Sequence, residues 1–127
     1  LLERGSIMKL KNNVSEERLE DSLREQGYDI YQTYEIMQGL QLGLDVSIYA
    51  KECYDVFQMY EIYNGLKSRV DVLLYATPEF DSNQMKQIRL GLESGIDVSD
   101  YLDSTLYAED MEYMRKYEER RRRNERQ

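Results

Sequence analysis

The sequence predicts an all-α protein: a short α-solenoid of helical-hairpin repeats flanked by an N-terminal and a C-terminal helix. Three observations carry that prediction. A 26-residue pattern recurs three times without a gap. Each copy opens on Asp-x-x-Gln, a helix-start signature. The 127 residues contain a single proline, so little interrupts a helix once it has begun. Self-similarity at such a period is the mark of stacked repeats, each too small to bury its apolar face alone.

The copies are residues 27–52 (GYDIYQTYEIMQGLQLGLDVSIYAKE), 53–78 (CYDVFQMYEIYNGLKSRVDVLLYATP) and 79–104 (EFDSNQMKQIRLGLESGIDVSDYLDS). Asp29, Asp55 and Asp81 coincide, as do Gln32, Gln58 and Gln84, and Ile36, Ile62 and Ile88. Gly39, Gly65 and Gly91 align, followed by Asp-Val at Asp45, Asp71 and Asp97 and by Tyr49, Tyr75 and Tyr101. Residues 105–127 begin a degenerate fourth copy that keeps Met111 and Met114, then becomes charged and basic. A final unit without a following neighbour has no use for a second apolar face. The whole chain, 1–127, reads as one domain.

Each element follows from its residues. Residues 14–26 form an N-terminal capping helix, with Ser15 as N-cap and Leu19 and Leu23 as a narrow apolar stripe. In each repeat the Asp side chain accepts from first-turn N–H groups while Gln reaches back, opening a helix of about three turns. That helix should end at Gly43 and Gly95; Arg69 occupies the equivalent place in the second copy, where the end should be strained or shaped differently. Asp45, Asp71 or Asp97 then caps a second, shorter helix. On a wheel of about 100° per residue, Gln58, Met59, Ile62, Gly65 and Leu66 share one arc, the expected core face. A mid-helix glycine costs about 1 kcal/mol in propensity, so its recurrence there implies close approach of a neighbouring helix. The C-terminal helix, 107–126, carries Glu118–Arg122 and Glu119–Arg123 in the favoured i,i+4 order.

The third copy resembles a short tandem repeat in a group of uncharacterised bacterial proteins, often encoded near mobile elements. The resemblance rests on Phe80, Gln84, Met85, Ile88, Arg89, Gly91, Leu92, Glu93, Gly95, Ile96, Asp97, Val98, Ser99 and Tyr101, and extends over residues 28–104. Thr33 replaces the Met, and Met37 and Tyr63 replace the Arg. The resemblance implies a helical repeat and a bacterial origin, and no catalytic residue comes with it.

Composition narrows the function. There is no histidine, which removes the commonest general base and metal ligand. Cys53 is the lone cysteine, so no intrachain disulfide or thiolate metal site can form, and a lone thiol fits a reducing cytoplasm. No secretory signal is evident, and no apolar run approaches membrane-spanning length; the chain opens at Leu1 rather than Met, as a fragment would. No glycine-rich phosphate loop exists, and nothing among the many acids selects a catalytic pair. Neither enzymatic activity nor a cofactor is expected. Asp97, Asp100 and Asp103 lack a second ligand cluster and are not expected to hold a metal.

What remains is surface. Net charge is −8, yet residues 1–114 carry 10 basic and 22 acidic side chains while residues 115–127 carry 7 and 3. Twelve tyrosines are a marked excess. Tyr49, Tyr75 and Tyr101 read as packing residues, their rings between repeats and their hydroxyls at the rim. Tyr34 with Met37 and Tyr60 with Tyr63 stand at variable positions, where the third copy has Lys86 and Arg89. These six are the candidate partner-binding residues, since tyrosine is large, stiff and amphipathic. Alternatively the terminal helices cover this stripe, or Tyr63 borders the core. The expected function is non-catalytic protein–protein interaction, self-association included. The competing expectation is nucleic-acid association through Arg120, Arg121, Arg122 and Arg123, which otherwise form a solvated helix end favouring the negative pole of the dipole.

Overall fold

Asp-x-x-Gln does what its chemistry dictates. In the computed structural model, which describes residues 15–125, all three boxes close. The Gln32 N–H donates to Asp29 at 2.8 Å while the Asp29 N–H donates to the Gln32 side chain at 3.0 Å. Asp55–Gln58 and Asp81–Gln84 repeat this at 2.8–2.9 Å. Among the described residues there are five α-helices: α1 (Glu16–Glu25), α2 (Ile30–Gln41), α3 (Val56–Ser68), α4 (Ser82–Ser94) and α5 (Ala108–Glu125). Three short 3-10 turns accompany them, at Val46–Ile48, Val72–Leu74 and Ser99–Tyr101. No strand occurs among the described residues, and the protein is all-α. The chain divides into two compact units between Tyr63 and Asn64, inside α3.

In the first unit, Ser15 caps α1 by accepting from the Arg18 N–H, and Leu19 and Leu23 are buried. α1 packs on α2, where the Gln41 amide donates to Glu16 at 3.1 Å. The core gathers Leu23, Ile36, Val46, Tyr49, Met59 and Ile62, all closed to solvent, with Tyr28 and Tyr54 beside them. In the second unit α4 packs on α5, and Tyr75, Met85, Ile88, Tyr101 and Met111 are fully buried.

The expected second helix of each repeat is only one 3-10 turn. Val46 O accepts from Tyr49 N–H at 3.0 Å and from Ala50 N–H at 2.7 Å, and the helix goes no further. The same closure occurs at Val72. Capping by aspartate is also not general here. Asp45 and Asp71 make no side-chain cap bond, whereas Asp97 accepts from the Ser99 N–H at 2.9 Å.

The recurrent glycine makes room for this turn. A Cβ built at Gly39 would overlap the Tyr49 hydroxyl and lie 2.5 Å from Val46 Cγ1. Gly65 meets Tyr75 and Val72, and Gly91 meets Tyr101 and Val98, in the same way. The close approach is therefore by the repeat's own turn, and not by a neighbouring helix. The tyrosine hydroxyls are not at a rim: Tyr49 donates to Glu35 O at 2.6 Å and Tyr101 to Gln87 O at 3.3 Å, inside the protein. Burial pushes both phenols well above their ordinary range, so both stay protonated donors.

The helix ends are uniform too. Leu44, Val70 and Ile96 each donate to the carbonyl of the repeat glycine, at 2.9, 3.1 and 3.2 Å. This closure needs a left-handed residue just before the donor. Gly43 and Gly95 supply it at φ 73° and 79°, and Arg69 is driven to φ 63°. That end keeps the shape of the others and carries the strain in Arg69.

Candidate binding groove

Side chains on the outer face of α2 and of the start of α3 enclose an open groove of about 670 Å³, lined by Tyr31, Glu35, Val56, Phe57 and Tyr60. All five belong to the first unit. Helical spacing explains the grouping: Tyr31 and Glu35 are four apart on α2, and Phe57 and Tyr60 three apart on α3, so each pair shares a face. One long-range bond fixes the two faces together. The Gln32 amide, already closing the α2 box, donates to Tyr54 O at 2.8 Å and ties the first turn of α2 to the chain entering α3. Tyr54, whose carbonyl takes that bond, is itself buried, its phenol pushed up to about 12 by burial.

The walls are apolar and open to solvent. Tyr31 is 69% exposed, Phe57 67% and Tyr60 48%. Tyr60 is steadied by Tyr63, whose ring stacks on it at a centroid distance of 6.5 Å and an interplanar angle of 28°. Glu35 brings the lone carboxyl of the lining, and partial burial raises its pKa above the ordinary glutamate value. Its backbone is held in place by the Tyr49 hydroxyl. A single carboxyl amid aromatic rings makes no acid–base pair; it makes a surface with one fixed point of negative charge.

The six residues singled out from sequence have different fates. Tyr60 lines the groove, and Tyr34, 60% exposed, stands on α2 outside the lining. Met37 is half-buried on α2. Tyr63 is only 9% exposed and serves as the support of Tyr60. Lys86 is exposed on α4, and Arg89 is half-buried and ion-paired with Glu93 at 2.9 Å. The last two lie in the second unit, and the groove is built without them. Tyr31 and Phe57 escaped the sequence reading although a signal existed. They align with each other in the repeat, and the third copy has Asn83 there.

At the C-terminal helix the arginines are dispersed. Arg121 pairs with Glu118 at 3.2 Å and Glu125 at 3.8 Å. Arg122 lies over the end of α4, beside Gly95, and with Arg123 lines a smaller cleft with Ser94, Ile96 and Glu119. Arg120 and Arg123 are exposed. The glutamates expected to pair with Arg122 and Arg123 face other residues: Glu118 meets Arg121, and Glu119 meets Arg115 at 2.8 Å.

Among the described residues, no cluster of acids and cysteine has the makings of a metal site. Asp97 and Asp103 are engaged locally, held below the ordinary aspartate range by hydrogen bonds from Ser99 and Thr105. No helix among the described residues is long and apolar enough to cross a membrane. Comparison with protein-family models, with curated proteins and with solved structures gives no match.

Proposed function

We propose that this protein is a non-catalytic protein–protein interaction module, built as a short stack of 26-residue helical repeats and binding through the aromatic groove of its first unit. The observation that carries this reading is the exposure of Tyr31, Phe57 and Tyr60 together around one open groove. Scattered exposed apolar side chains are normal, whereas a contiguous aromatic patch with one polar point is how recognition surfaces are made. The stacking of repeats draws support from a recurring bond. Gln32 donates to Tyr54 O and Gln84 to Leu106 O, each reaching 22 residues on, to the start of the next copy.

The competing reading, phosphate contact by Arg120–Arg123, has weaker support, because Arg121 is engaged by glutamates and Arg122 covers a helix end. The test is the double variant Phe57→Ser with Tyr60→Ser. Phe57 is 67% and Tyr60 48% exposed, so helicity should hold while capture of partner proteins, or self-association, is lost. Capture unchanged in a folded double variant would overturn the groove as the binding surface.

A further inference from the structure

The chemistry of the lining limits what the groove can accept. Three aromatic rings line it, and aromatic faces carry the partial negative charge that attracts a cation. Glu35 adds a full negative charge, and no basic side chain lines the groove. An entirely apolar occupant would cover the Glu35 carboxylate without giving it a partner, which is costly. An anionic occupant would meet repulsion from Glu35 and from the unit as a whole, since residues 1–63 carry 12 acidic and 6 basic side chains. A cation turns both penalties into attraction. The volume exceeds what a single small ion needs and suits a side chain with its apolar neighbours.

Resting on the groove as a protein-binding surface, we propose that it is a site for an arginine side chain presented by a partner protein between apolar residues, its guanidinium over the rings of Tyr31, Phe57 and Tyr60 and paired with Glu35. Arginine suits it better than lysine, because the planar guanidinium is more weakly hydrated and stacks on aromatic faces. One of the three rings, Tyr60, is backed by Tyr63 at 6.5 Å. The acidic surroundings steer a basic segment toward it and should make association depend on ionic strength.

The probes are acetyl-Leu-Arg-Leu-amide and its citrulline counterpart, nearly identical in shape and differing in charge. Titration into the full chain is followed by the ring-proton resonances of Tyr31, Phe57 and Tyr60. The arginine peptide should shift them saturably, at least about tenfold more tightly than the citrulline peptide. Glu35→Gln should weaken the arginine peptide about fivefold or more and leave the citrulline peptide unchanged. Equal affinities, or no saturable shift up to ~20 mM peptide, would overturn the arginine site. In that event the groove would stand or fall separately on the capture experiment with Phe57→Ser and Tyr60→Ser. Ring shifts that depend on protein concentration alone, and disappear with Arg120→Gln and Arg123→Gln, would identify a second copy as the occupant and overturn the partner assignment.

Discussion

The Tyr49 hydroxyl donates to the Glu35 main-chain carbonyl at 2.6 Å, in space that any side chain on Gly39 would take. The glycine and the tyrosine are therefore one device, repeated at Gly65–Tyr75 and Gly91–Tyr101. In an ordinary helix interior Gly→Ala gains about 1 kcal/mol. Gly39→Ala should instead cost about 2 kcal/mol, since the new methyl overpacks a closed core. Tyr49→Phe should cost about 1 kcal/mol for the lost hydrogen bond. The double variant should cost less than the sum by about 1 kcal/mol, because removing the hydroxyl gives the methyl room. Denaturant unfolding of the three variants completes the cycle, and strict additivity would contradict the device.

The glutamine that closes the first and the third box has a second duty. Gln84 accepts from Asp81 N–H and also donates to Ser104 O and Leu106 O, at 3.0 and 2.7 Å. Glutamate is normally as good in a capping box, and favours the helix dipole. Here Gln84→Glu should destabilise by about 2 kcal/mol or more, since it sets a carboxylate against two carbonyls and removes their donor. A neutral effect in chemical denaturation would show that those two bonds contribute little.

Arg69, at φ 63°, holds a conformation that glycine enters freely. Arg69→Gly should raise stability by about 1 kcal/mol. Gly43→Ala should lower it by a similar amount through conformation alone, because nothing lies within 4 Å of where its Cβ would sit. Thermal melts of the two variants should move in opposite directions.

Glu35 predicts a pH signature. Its folded-state pKa is raised above the ordinary 4.5 by burial, so the folded chain holds that proton more tightly than the unfolded one. The associated stability is complete below about 4.5 and is lost as pH rises through the raised folded value. Glu35→Gln should therefore raise the melting temperature at neutral pH, with the gain shrinking as the pH falls toward the ordinary glutamate value. A constant difference across that range would mean the carboxyl carries no burial penalty. Stability and arginine binding should thus move in opposite senses in one variant, as expected when a binding group is kept at a cost to the fold.

Much of this architecture was legible because the repeat states each rule three times. Asp29, Asp55 and Asp81 could only be helix starts, and Ile36, Ile62 and Ile88 could only be core. What escaped were long-range partners. Recurrence of Gly39 signalled a close approach without saying that Tyr49, ten residues on, was the intruder. On the same wheel Glu61 falls outside the arc of Gln58, Met59, Ile62, Gly65 and Leu66, yet it is buried, as is Gln87 at the same register. A wheel describes one helix and is blind to what packs against its flank. Tyr31 and Phe57 were overlooked for the opposite reason: exposed aromatics leave no periodic trace, and only their substitution by Asn83 marks the position as free to vary.

That freedom has an origin in the bond described first. Tyr49 grips the backbone of Glu35 and asks nothing of its side chain. Its counterpart Tyr101 grips the backbone of Gln87, so the same anchor tolerates a different residue. The framework and the lining of the groove are thus written in separate letters of the repeat. A randomised library at positions 31, 34, 35, 57 and 60 should therefore yield mostly folded clones, each with its own ligand preference. Change at those positions would leave the Gly39–Tyr49 anchor of the scaffold untouched.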